Sequence, residues 1–176
     1  MSKRDITPTD REIVMREDDF IVSKTDLKGR ITYGNRIFIE FSGFEEREVI
    51  GTQHNLVRHP DMPRGIFKLL WGSVQDNKEI FAYVKNISRD GSYYWVLANV
   101  TPSVDASGNT VGYYSVRRKP NPRAIPIVTQ LYRDMLSEER SAGSRDAIAA
   151  SHRVLDTFLK DKKQSYENLV LSLQSL

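Results

Sequence analysis

The chain has 176 residues, 39% of them hydrophobic and 28% charged, which is enough apolar mass for one domain with an appendage. A formal net charge of +3 is too small a basic excess to argue for nucleic acid, and the absence of cysteine removes disulfides, thiolate catalysis, cysteine-ligated zinc and cysteinyl–cofactor adducts. No apolar run reaches the length of a membrane span and the opening MSKRDITPTDRE lacks the apolar centre of a signal peptide, so a cytoplasmic protein is expected.

Residues 1–19 are polar and charged and read as a leader, expected to carry a short helix. From Phe20, FIVSKTDLKGRITYGN sets two short β-rich runs around DLKG, where Gly29 suits a turn. NRIFIEFSGF then places Ile37, Phe38 and Phe41 on one side of a short helix that Gly43 ends. EEREVIGTQHNLVRHPD has no sustained period and reads as loops and brief turns. A longer helix follows, with Asp61 as its expected cap, Pro63 in its first turn, and Ile66, Phe67, Leu70, Trp71 and Val74 at helical spacing. Three strands come next: EIFAYVKNIS, then YYWVLANVTPSV beyond the tight-turn pair Asp90–Gly91, then VGYYSVRRK beyond the loop DASGNT. The expected architecture is α+β, a five-stranded antiparallel sheet with helices on one face.

Pro120 and Pro122 punctuate the end of that sheet, giving a domain over 20–119 and a helical extension over 120–176. Ile125, Val128, Leu131, Tyr132 and Met135 mark one amphipathic helix, which SAGS breaks or bends. From Ile148 to Leu176, core positions recur at alternating steps of four and three, with His152 and Lys162 as polar interruptions. Such a stripe either pairs two copies as a coiled coil or folds a tail helix back on its own domain. The expected assembly is a homodimer through these C-terminal helices.

The order of elements and the wording of the loops over Phe20–Lys119 resemble a PAS domain, and more specifically the flavin-binding PAS domain of bacterial aerotaxis receptors. The resemblance is carried by SKTDLKGRITYGN, FSGFEEREVIG, HNLVRHPDMP, Leu70–Trp71, VKNISRDGSYYWVLANVTP and GYYSVR. It implies the PAS fold, a noncovalent FAD between helices and sheet, and sensing of redox state or oxygen without turnover. It further implies a role in aerotaxis or chemotaxis signalling through a downstream partner. Aerotaxis receptors continue into a membrane anchor and a long signalling hairpin. Neither is read in this sequence, so the sensing chemistry is expected to carry over and the output is not.

An isoalloxazine ring needs an apolar slot with a few fixed polar groups. Asn86 shares a strand face with Ala82 and Val84, and the resemblance puts the asparagine of VKN at the ring; its plain alternative is an edge-strand asparagine paired with backbone. Val96 stands where light-sensing LOV domains often carry a second asparagine, and Trp95, one residue out of phase, faces away. Trp71 closes the pocket or fills the core. Burying a diphosphate calls for cations and donors, which assigns Arg58 to the phosphates, His54 and His59 to further donation, and Asn55 to ribose or adenine. Asn35, opening the first helix, and Arg117, on the last strand, complete the candidate set. A metal site lacks an obvious third ligand beside His54 and His59, although Asp61 is close; a haem needs one axial histidine, and either would serve. A ligand-free docking module is the remaining alternative. A flavoenzyme has no nicotinamide-binding glycine motif or placed acid–base pair to support it.

Overall fold

The β-rich runs on either side of DLKG form a hairpin, β1 (Ile21–Thr25) and β2 (Ile31–Gly34), in a computed structural model that describes residues 6–176. Helix α1 (Arg36–Ser42) starts at Asn35, whose side-chain oxygen accepts from Phe38 N at 2.9 Å and from Val22 N at 3.0 Å. One carboxamide therefore caps the helix and ties it to β1, a contribution of about 1 kcal/mol for the cap alone. The short helix α2 (Glu46–Val49), a 3₁₀ turn over His54–Val57 and helix α3 (Arg64–Gln75) follow. The chain then returns through β3 (Ile80–Ile87), β4 (Tyr93–Val104) and β5 (Thr110–Arg118). These strands make one antiparallel sheet in the order β2-β1-β5-β4-β3, so the first and last strands lie side by side at its centre. Ile21, Ile31, Phe38, Val49, Ile66, Val74 and Val96 are buried in the core. The expected fold class is the observed one.

Three expectations change. Residues 1–5 of the leader lie outside the described residues, and 6–19 form no helix. The leader runs alongside the start of β4, with Thr9 N donating to Gly91 O at 2.9 Å, Tyr93 N to Arg11 O at 2.9 Å and Ile13 N to Tyr93 O at 2.8 Å. The register of β5 on β4 begins only at Leu97, which leaves the first residues of β4 with an open edge that the leader fills. Asp61 does not cap α3: Pro63 is the N-cap residue, and Gly65 N donates instead to Glu139 Oε1 at 3.0 Å. The Asp61 carboxylate accepts from Lys85 Nζ at 2.7 Å.

The tail supplies the third change. Helix α4 (Ala124–Lys162) breaks at Gly143, where φ is +72° and ψ 172°, as SAGS led one to expect. Its first half crosses the sheet face opposite α3: Tyr132 donates to Tyr83 O at 2.8 Å and its ring lies 6.2 Å from that of Trp95. Its second half turns back onto α3. His152 Nε2–H donates to Gly65 O at 3.0 Å, and a Cβ at Gly65 would stand 2.5 Å from Ser151 Oγ, so glycine is required for this approach. The stripe is not one continuous helix. Lys163 adopts φ +52°, Ser165 caps α5 (Tyr166–Gln174), and Gln174 Oε1 accepts from Asn121 N at 2.9 Å and Tyr83 OH at 3.1 Å. Leu155, Leu169, Val170 and Leu173 are buried within the chain, the folded-back arrangement. Much of the stripe is thus packed against the chain's own domain, while Leu176 stays exposed. Among the described residues, no helix is long and apolar enough to cross a membrane.

Candidate functional site

Between α3, the His54–Val57 turn and the inner face of the sheet lies a cavity of about 540 Å³. Two-residue alternation aims Val84 and Asn86 of β3, Ala98 and Val100 of β4, and Tyr113, Ser115 and Arg117 of β5 into it. The α3 stripe adds Phe67, Leu70, Trp71 and Val74 as the facing wall. Lys28, Arg58, Arg64, Lys68 and Arg117 also line it, and no lining residue is a carboxylate. The site is therefore apolar across its width and cationic in its charge. Ile148, from the second half of α4, reaches the same wall.

Six of the eight candidate residues line the cavity: His54, Asn55, Arg58, Trp71, Asn86 and Arg117. Asn86 is buried, and among the described residues its carboxamide makes no hydrogen bond. Trp71 packs edge-on against Tyr113 with ring centroids 5.3 Å apart and lies against the Gly29 turn, closing one side. Arg58 stacks on the Phe67 ring at 4.0 Å and donates through Nη2 to Met62 O at 2.9 Å, and burial pushes its pKa down.

Asn35 and His59 do not line the cavity. Asn35 is the α1 cap described above, and its Nδ2 donates to Phe20 O at 2.7 Å. Its amide is saturated by backbone, away from the cavity. His59 is buried outside the cavity wall, its ring edge-on to Tyr93 at 6.1 Å and its Nδ1 accepting from Asp61 N at 3.0 Å. The physical reason is the exposed edge of β3. Arg58 bridges to Asn86, His59 N donates to Lys85 O at 3.2 Å, and Lys85 N donates to Met62 Sδ at 3.1 Å, so the loop covers that edge. Much of the imidazole and proline chemistry in HNLVRHPDMP thus builds structure, while His54, Asn55 and Arg58 reach the site.

His54 has a different task from the donation expected of it. Arg117 Nη2 donates to His54 Nε2 at 2.8 Å and to Ser23 Oγ at 3.0 Å, and Ser23 Oγ also lies 3.0 Å from His54 Nε2. Burial first, and the Arg117 charge second, depress the His54 pKa to about 3. The imidazole is neutral at neutral pH, and its Nε2 is an acceptor that orients the guanidinium. Burial also brings Arg117 down to about 10, which leaves it charged. Sequence reasoning missed Ser23, Thr25 and Ser115, which line the same wall. The signal was present: Ser23 and Thr25, like Ser115 and Arg117, are polar residues two apart on a buried strand face.

The sheet order, with α3 and the cavity on one face, is accompanied by a match of residues 31–117 to the family model described as the PAS fold. Over that span the chain carries a PAS domain. Over 125 residues it is 36% identical to the aerotaxis receptor of Escherichia coli (strain K12), an alignment covering 71% of this chain and 24% of that receptor. The chain thus spans about a quarter of that relative's length. The PAS domain of a Colwellia psychrerythraea protein superposes with a TM-score of 0.52 at 20% identity, covering 57% of this chain and 85% of that one. The light-state structure of the blue-light photoreceptor Aureochrome1 LOV superposes with a TM-score of 0.53 at 21% identity, covering 69% and 92%. These structures show the fold.

Proposed function

We propose that the cavity binds FAD noncovalently and that the domain senses redox state or oxygen, passing a conformational change to its C-terminal helices and through them to a signalling partner. The observation that carries this reading is the cavity's chemistry: apolar walls of a size suited to a ring system, lined by five cationic side chains and no carboxylate. A ligand combining a flat apolar ring with phosphates satisfies both halves. Asn86 and Trp71 are the groups assigned to the ring, and Arg58, with Arg64, Lys68 and Lys28, to the phosphates. Similarity to the aerotaxis receptor supports a sensor rather than an enzyme. Haem fits less well. His54 Nε2 is engaged by Arg117 and Ser23, and His59 lies outside the wall.

The route outward is short. Helix α3 carries Trp71 on the cavity side, and its first turn holds α4 through Gly65. A change in the ligand that moves α3 reaches the tail through packed groups.

The test is the absorption spectrum of the purified, unreconstituted protein, followed by chromatography of the cofactor released on heating. A structured band in the blue region and release of FAD are expected, with Arg58→Ala retaining less FAD after dialysis while keeping its fold. A sharp Soret band, or a protein that stays colourless after incubation with FAD, would sink the reading.

A further inference from the structure

Arg117 is 5% exposed and sits in the cavity wall, yet among the described residues no carboxylate pairs with it. Its Nη2 meets two neutral acceptors, Ser23 Oγ and His54 Nε2, and the Phe38 ring lies 5.9 Å from the guanidinium carbon. Its Nη1 has no partner, and neither do Thr25 Oγ1 and Ser115 Oγ, buried in the same wall. A buried charge without a counter-charge, beside unmet polar atoms, is disfavoured in an empty site and is made good by a ligand. Arg58 contrasts with it, already committed to Met62 O, and Lys68 and Arg64 are exposed at the rim. The cavity thus has a cationic rim and one separate cation buried in the sheet.

We propose that this division is functional: the rim cations hold the phosphates, and Arg117 meets the buried ring and sets how readily that ring accepts electrons. The inference rests on the flavin reading above. Two electrons from an external reductant and one proton from water convert a neutral oxidised ring into a monoanion. A fixed cation in a low-dielectric wall stabilises the monoanion more than the neutral ring. His54, held neutral and accepting from Nη2, keeps the guanidinium in place without cancelling its charge.

The experiment compares wild type with Arg117→Met, Arg117→Lys and Lys68→Met, each confirmed as folded by circular dichroism. Affinities for FAD and for riboflavin, which has the ring without phosphates, are read by flavin fluorescence. Reduction by dithionite is titrated at equilibrium against a reference dye. Arg117→Met is expected to weaken both flavins by a similar factor and to make reduction at least tenfold less favourable, about 30 mV for a two-electron couple. Arg117→Lys restores most of the potential, and Lys68→Met weakens FAD alone. An unchanged potential in Arg117→Met, or loss of FAD binding with riboflavin binding intact, overturns the assignment. If wild type binds neither flavin, the flavin reading has failed separately. Anilinonaphthalene sulfonate and its neutral analogue phenylnaphthylamine then decide the charge: a preference for the anionic dye that Arg117→Met abolishes supports a ring-facing cation, and equal binding of both dyes overturns it.

Discussion

At the scale of single residues, His54 makes the domain sensitive to acid. Its folded pKa is depressed to about 3, while in the unfolded chain it takes the ordinary value near 6.5. Between those values the unfolded state binds more protons, so stability rises with pH through this window. The contribution is complete above about pH 6.5 and is lost as pH falls toward 3, with a slope of up to about 1.4 kcal/mol per pH unit. Urea unfolding of wild type at pH 7.5, 6 and 5 is expected to show a midpoint that falls on acidification. In His54→Gln, which keeps an acceptor for Arg117 without a titrating ring, the fall should be much shallower. A variant that loses stability as steeply as wild type would place the acid sensitivity elsewhere.

At the scale of elements, the junction of α3 with α4 links the cavity to the tail. Glu139 Oε1 takes the Gly65 amide, His152 donates to the Gly65 carbonyl, and Ser151 packs where a side chain at 65 would stand. A methyl group there forces the second half of α4 outward, an overpacking cost of about 1–3 kcal/mol. Gly65→Ala should therefore raise hydrogen exchange across 144–162 while the sheet amides stay protected; unchanged protection in that segment would mean the helix is held by its other contacts. The sequence made some of this legible and hid the rest. The break at Gly143 and the three hairpins were readable because turn chemistry is local. The leader's place beside Tyr93 was not, because its partner lies some eighty residues on in the chain. Nor was the choice between tail pairing and tail folding, since the same apolar stripe serves either. His152, which reads as a flaw in a heptad seam, is the donor that fixes the tail to Gly65.

At the scale of the whole molecule, the sheet is covered on both faces, by α3 on the cavity side and by the first half of α4 with α5 on the other. Part of the cavity lining was legible, because Asn86, Trp71 and Arg117 sit on patterned elements and Arg58 stood out by its residue type in an irregular loop; the pairing of Arg117 with Ser23 and His54 joins residues 94 and 63 positions apart, which no local pattern reveals. The opposite face follows the same logic. Tyr83, Trp95 and Leu97 are buried there, with Tyr132 on two of them and Gln174 on the Tyr83 hydroxyl. Cutting the chain after Lys119 uncovers these three large side chains together, an apolar patch of the kind that drives association. The 1–119 fragment is expected to be less stable than the full chain by about 3 kcal/mol or more, on the scale of one or two large buried side chains, to unfold at a lower urea midpoint, and to scatter as polydisperse oligomers. Light scattering and urea titration of the fragment beside the full chain make the comparison. A fragment that stays monodisperse, with an unchanged midpoint, would show that the sheet does not depend on the tail.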